Sequence, residues 1–450
     1  MIPIHSRICG FCNAPQYTMQ QITKEYKKRQ GSVDGGENAE QFKGLLSLIN
    51  PFETNLPSFW GCGNGIKGLI ECKVLKIQVN GVKVEVLPFE CYQQHSLSVM
   101  NVCGESNLVE FSYGRPSFLC VSLKKKPIRF GHLYEGTGII QVWQVTEKIC
   151  FKYSVVHNGY TAMAMKFLPC QVNRGIGTLA VCLANGDLSV YNLPDTSSEL
   201  IFVQPFWTFN QPGLVFSTLS WILDSCLAVG TQDGSLFLVR PGYNPHIKVF
   251  EAHRLPITSL TYSPFNNCII TTGLDGYLKV WNTSGEILDS LCLSKRWNYH
   301  VCCNPVGRFI FFDNDTGVSP HKIAEFKSGQ LENKKQISQS TEATICSCFS
   351  HKSSFDYIVT AEGFIELIYV SELEKNSKKR KTPWSRYSRI VWVDSDGNVT
   401  TGKNEDKGDR GRGNICHLDL CSLDKYELVA WAGKICGIYN VEIEDANIIE

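Results

Sequence analysis

Long apolar runs are missing from this chain. Nowhere do roughly 18 uncharged apolar residues follow one another, so no membrane-spanning helix is expected. Excess charge is missing too. The 44 Lys and Arg residues are matched by 43 Asp and Glu, a formal net charge of +1. A chain without a net field is not drawn as a whole onto nucleic acid or anionic lipid, so any such contact needs a local patch. The opening MIPIHSRICGF has no apolar core of the kind a secretory leader carries. Catalytic signatures are likewise scarce. There is no nucleophile elbow, no phosphate-cradling loop and no cluster of ligating side chains. The single Gly136-x-Gly138 opens a strand rather than a helix, outside the context of a dinucleotide site. Neither an enzyme nor a cofactor is expected.

Cysteine, by contrast, is plentiful: 20 residues. They stand singly along apolar segments, as at Cys150, Cys182, Cys226, Cys268 and Cys292. That pattern suits reduced, buried thiols acting as small hydrophobes in the cytosol or nucleus. Cys9-x2-Cys12, with His5 just before it, is the one metal-like spacing. Structural zinc takes four ligands, and Cys62 and Cys72 do not form a second pair of that kind. Cys9 and Cys12 are therefore weak candidates, and no metal is expected.

The chain is organised around Glu251–Glu286. There Ala252-His253 precedes an alternating run (Ile257, Ser259, Leu260, Tyr262). A short apolar strand (Cys268-Ile269-Ile270-Thr271), an Asp275-Gly276 turn and Leu278-Lys279-Val280-Trp281-Asn282 follow. Gly276 suits a tight hairpin because it tolerates positive φ. Leu278 and Val280 alternate with Tyr277 and Lys279, as a strand with two different faces requires. His, strand, Asp-Gly turn and a strand ending in Trp make up the blade signature of a WD-repeat propeller, which this stretch resembles. The resemblance implies a structural network. His253 would bond Asp275 and a hydroxyl of Thr271 or Thr272, and that hydroxyl would meet the indole N–H of Trp281. Such a network pairs buried polar groups and is not catalytic.

One blade cannot close on itself, so repeats are expected. A glycine followed five residues later by an apolar residue recurs at Gly138 (Trp143), Gly186 (Tyr191), Gly234 (Val239), Gly276 (Trp281), Gly363 (Ile368) and Gly433 (Ile438). The first four closing positions are 48, 48 and 42 residues apart, one blade each. The wider gap after Trp281 leaves room for a degenerate blade between Glu286 and Gln330, with strands from RWNYHVCCNPVGRFIFFDNDTG. The expectation is an all-β, seven-bladed WD-repeat propeller over 66–445, preceded by a largely irregular extension at 1–65. Residues 39–49 there suit a short amphipathic helix ended by Pro51. Residues 68–90 read as a hairpin about Asn80-Gly81, and the strand that closes the ring is expected near them.

Residues 373–413 interrupt the pattern and are expected to be a basic loop insertion. Lys378, Lys379, Arg380 and Lys381 form a cluster of the nuclear-import type. With Arg386, Arg389, Trp384 and Tyr387, the wider patch suits a phosphate backbone or an acidic partner. A solvated loop without a partner is the plain alternative.

Several segments together resemble the WD-repeat subunit of transcription factor IIIC, the RNA polymerase III assembly factor. They are FGHLYEGTGIIQVWQV, then Phe167-Leu168-Pro169, Leu179-Ala180-Val181, Asn185-Gly186 and Val190-Tyr191-Asn192-Leu193-Pro194 in order, and more weakly Arg386-Tyr387-Ser388-Arg389-Ile390. The resemblance implies a nuclear scaffold. Its partners would be the other subunits of transcription factor IIIC, especially a large DNA-binding subunit, with weak or indirect DNA contact and none to membrane. A WD-repeat adaptor in ubiquitin ligation, chromatin or RNA processing shares the fold but not the partner.

Overall fold

In the computed structural model the described residues are the strands Arg7–Ile8, Pro15–Gln16 and Ser58–Gly61, and most of 69–442. The longer undescribed stretches within the latter are 125–131, 293–299, 304–308, 313–321, 337–345, 350–356, 370–386 and 402–414. The expected helix at 39–49 lies outside the described residues.

Among the described residues, short strands build seven antiparallel meanders, each the core of one sheet. Their first strands are Ser106–Phe111, Ala162–Phe167, Phe216–Ile222, Ile257–Ser263, Val301–Cys303, Cys346–Phe349 and Ile415–Ser422. Each of these packs beside the next, and the last packs beside the first, so the sheets form a closed ring of seven blades. The fifth blade lies where it was expected, with Lys322–Lys327 as its third strand, and only its outer strand, Gln330–Gln336, runs past the expected end at Gln330.

The cores lie between blades. One cluster joins blades 1 and 2 (Cys120, Tyr153, Phe167, Leu179), another blades 2 and 3 (Cys182, Phe216, Trp221, Phe237), another blades 3 and 4 (Leu236, Ile257, Trp281). A strand with a neighbouring blade on each face is buried on both, which is why Ser117–Leu123, Gly177–Leu183 and Cys268–Gly273 are continuously buried. Five blades share one irregularity, a bulge at the start of the innermost strand (after Ser106, Ala162, Phe216, Ile257 and Ile415). It puts the blades in a common register.

The N-terminal section is woven into this ring. Asn80 and Gly81 take φ of 49° and 82°, the paired positive values of a type I′ turn. They join Leu75–Val79 to Val82–Val86. That hairpin does not close the ring: it pairs through Val79 with Val399 on the outer edge of blade 6. Closure falls to Leu97–Met100, the fourth strand of blade 7, antiparallel to Cys436–Glu442. Leu97–Met100 is buried at every position, whereas the hairpin exposes alternate residues, and burial decides which segment the ring needs. Ser58–Gly61, inside the extension expected to be irregular, is a strand on Leu200–Gln204, which itself lies parallel to the outer strand of blade 1. The expected basic insertion is also shorter than 373–413: Tyr387–Val393 is the outer strand of blade 6 and Val399–Thr401 pairs with it.

Two cysteines depart from expectation. Cys182 and Cys268 are buried, but Cys150 and Cys292 are exposed on outer strands. Burial pushes the thiols of Cys120, Cys182 and Cys268 up, which keeps them protonated and unreactive.

Candidate functional site

The turn Asp275-Gly276 and the loop carrying His253 meet on one face of the ring. His253 Nδ1 lies 2.9 Å from Asp275 Oδ1, and His253 Nε2 lies 2.8 Å from Thr271 Oγ1. The Trp281 indole N–H donates to Thr271 Oγ1 at 3.0 Å. An indole can only donate and a carboxylate can only accept. Nδ1–H therefore faces Asp275, and the threonine hydroxyl hydrogen goes to Nε2. Of the two threonines, Thr271 makes these contacts, while Thr272 bonds Thr258 and Ser259. Asp275 also accepts the backbone N–H of Arg254 and of Tyr277. Burial works against its charge, yet the His253 hydrogen bond and these amides hold its carboxyl below the usual range. Every polar atom of the network has a partner inside the blade, and nothing is left to act on a substrate.

One position that sets blade 4 apart is that of Thr271. In the shared register the residue equivalent to Thr271 is Val121 in blade 1, Val181 in blade 2, Val229 in blade 3 and Trp431 in blade 7. Valine can neither accept from an indole nor donate to a histidine. Blade 1 keeps its tryptophan by other means: Trp143 Nε1–H donates to Gln141 Oε1 at 3.1 Å, and Gln141 Nε2 donates to the Val102 carbonyl at 2.9 Å. In blade 7 the position equivalent to Trp281 is Tyr439, not the expected Ile438, because Tyr439 pairs with Val429 as Trp281 pairs with Ile269.

Inside the ring, each innermost strand offers a backbone edge to the next blade, and side chains from neighbours cap it. Asn107 donates to the Ala162 carbonyl, Ser217 to Ile257, Ser259 to Val301 and Cys348 to Leu418. These caps are neutral. Around blades 7, 1 and 2 they become charged. Asp419 Oδ2 accepts from the Phe111 N–H at 2.7 Å, and His417 Nδ1 accepts from the Val109 N–H at 3.4 Å. Glu110 Oε1 accepts from the Phe167 N–H at 3.4 Å. The Lys166 ammonium then lies 2.5 Å from Glu110 and 3.6 Å from Asp419. The Glu110 side chain is 1% exposed and that of Lys166 35%. Burial, and then the Asp419 charge, push Glu110 up to about 8 against the pull of Lys166. Burial, and then the electrostatic influence of Lys166 and His300, push His417 down to about 3. Burial disfavours the Lys166 ammonium, but Glu110 and Asp419 hold it well above the ordinary lysine range. Sequence reasoning missed these residues: Glu110, Lys166 and Asp419 are far apart in the chain. The available signal was a charged residue inside an otherwise apolar strand.

Residues 244–282 match the family model described as WD domain, G-beta repeat. The fold is a WD40 propeller. The WD40 domain of Toxoplasma gondii coronin is similar at a TM-score of 0.53 and 12% identity, over 84% of this chain and 87% of that one. A chain in the crystal structure of the mitotic checkpoint complex is similar at 0.50 and 13%, over 82% and 94%. At such identities the likeness concerns the fold alone. The COMPASS component SWD3 of Saccharomyces cerevisiae is 30% identical over 78 residues, 17% of this chain and 24% of the yeast protein. The match thus spans about a quarter of that relative's length. Nothing in these likenesses is specific to transcription factor IIIC. The WD40 match ends at Trp281-Asn282 and includes His253, Thr271 and Asp275, so it covers the whole blade-4 network.

Of the remaining candidates, Cys9, Cys12, Lys378, Lys379, Arg380, Lys381 and Arg386 lie outside the described residues. Arg389 is in the outer strand of blade 6, its backbone opposite Glu366. Among the described residues no group of His, Cys, Asp and Glu is arranged to hold a metal ion.

Proposed function

We propose that this chain is a non-catalytic scaffold in a nuclear multiprotein assembly, and that the assembly is transcription factor IIIC. One observation carries the scaffold reading: the polar networks described above are spent on holding the propeller together, His253–Asp275 within blade 4 and Lys166–Glu110 between blades 1 and 2. A ring built this way offers rigid faces to partners. The finer reading rests on the segments at 130–145 and 157–194 that resemble the WD-repeat subunit of that factor. They contain Gly138–Val145 of blade 1 and Ala162–Phe167, Gly177–Leu183 and Asp187–Leu193 of blade 2. Contact with promoter DNA passes mainly through a larger DNA-binding subunit, and Lys378–Lys381 directs the chain to the nucleus.

The yeast COMPASS component, similar over 78 residues, favours a second reading, an adaptor in a chromatin complex. Affinity purification of the full chain with mass spectrometry separates them. Recovery of the other transcription factor IIIC subunits, with occupancy at transfer-RNA genes, supports the first. Recovery of a chromatin-modifying complex without them replaces it with the second. Replacing Lys378–Lys381 with alanine should move the protein out of the nucleus without changing its melting temperature. Unaltered localisation would reduce the cluster to a solvated loop.

A further inference from the structure

We infer that Glu110, Lys166, Asp419 and His417 form an electrostatic clasp at the seam of the ring, and that this clasp makes ring closure pH-sensitive. The geometry comes first. Among the described residues, the four strands of the blade 7 meander come from both sides of the chain: Ile415–Ser422, Tyr426–Gly433 and Cys436–Glu442 from the C-terminal side, and Leu97–Met100 from the N-terminal side. The ring opens most simply where those segments part. Asp419 and His417, on the C-terminal side, hold the Phe111 and Val109 amides of blade 1. Lys166 reaches from blade 2 across blade 1 to carboxylates of both blades 1 and 7. One ammonium thus ties three blades together. Elsewhere among the described residues, the caps named above on the innermost strands are neutral hydroxyl, amide and thiol groups, while on the outer strands Asp289 of blade 4 accepts the Leu331 N–H of blade 5 at 2.8 Å.

The other titratable groups around the clasp are Tyr113, Cys120, Cys348, Cys421 and His300. Burial pushes Tyr113, Cys120 and Cys348 up, so they stay uncharged near neutral pH. The signs for the remaining groups follow from linkage. Glu110 sits at about 8 in the closed ring against an ordinary 4.5. The closed ring therefore holds a proton that the open one has lost, and closure weakens as pH rises from 4.5 to 8. His417 sits at about 3 against an ordinary 6.5. Here the open ring holds the extra proton, and closure weakens as pH falls from 6.5 to 3. Between 4.5 and 6.5 the two effects oppose each other. Closure is strongest there and falls away on both sides, by up to about tenfold per pH unit.

The test is hydrogen exchange on the full chain, as protection factors for 97–100 and 436–442 relative to 257–263 and 268–273 in blade 4, from pH 4 to 8. The expected result is seam protection that falls above pH 6.5 and below pH 4.5, while the blade-4 segments stay level. Glu110→Gln should flatten the alkaline limb and His417→Asn the acid limb. Lys166→Met should lower seam protection by tenfold or more across pH 5 to 7.5, because its tie to Asp419 is lost whether or not Glu110 carries its proton. Should Lys166→Met fail to fold, the profiles of the other two variants decide. Seam and blade-4 protection that track each other at every pH, or variants that keep the wild-type profile, overturn the clasp.

Discussion

Trp281 is the residue on which blade 4 depends, for two reasons that add. It is 3% exposed between blades 3 and 4, and its N–H is tied to Thr271. Trp281→Ala should lower stability by about 3–5 kcal/mol, read from urea unfolding at constant slope. Thr271→Val keeps the shape but strands both the indole N–H and His253 Nε2, and should cost about 1–3 kcal/mol. If Thr271→Val is as stable as the parent, the network contributes packing alone. Gly437 shows the opposite dependence. A Cβ there would come within 2.3 Å of the Trp431 ring, which fills the space a side chain would take. Gly437→Ala should therefore cost about 1–3 kcal/mol through overpacking, measured in the same way.

At the scale of elements, the N-terminal strands differ in what they do. Leu97–Met100 is buried throughout and completes blade 7, whereas the hairpin at 75–86 extends the edge of blade 6 and adds Ile77 and Val79 to the core it shares with blade 7. A chain beginning at residue 88 should keep a cooperative thermal transition. A chain beginning at residue 104 leaves Cys436–Glu442 as a bare buried edge and should aggregate or lose cooperativity. Size-exclusion chromatography and calorimetry distinguish the two. Equal behaviour of the two truncations would show that another strand closes the ring.

For the whole molecule, the arrangement explains why a near-neutral chain can carry buried charge. Among the described residues the buried charges cluster at the seam, where strands from the two halves of the chain meet without a covalent link, and the innermost strands of other junctions carry the neutral caps named above. The propeller resists local opening through its inter-blade cores and is expected to yield first at blade 7. Partial proteolysis should accordingly release fragments cut near 100 or 436 before any cut within 257–282. Early cleavage inside blade 4 would contradict this ordering.

The strand content, the Asp-Gly and Asn-Gly turns and the blade-4 network were legible in the sequence, because they depend on local chemistry: positive φ at Gly276 and Gly81, and the fixed spacing of His253, Thr271, Asp275 and Trp281. The repeat of glycine hairpins also located most of the blades. Tyr439 was misplaced by one residue because the glycine counted there, Gly433, ends a strand equivalent to Gly273 rather than opening a turn like Gly276. The choice of Leu97–Met100 as closing strand and the meeting of Glu110, Lys166 and Asp419 were decided only by the tertiary structure. Edge pairing between distant segments depends on which surfaces the closed ring leaves unpaired, and the effect of a charge depends on neighbours that only ring closure brings within reach.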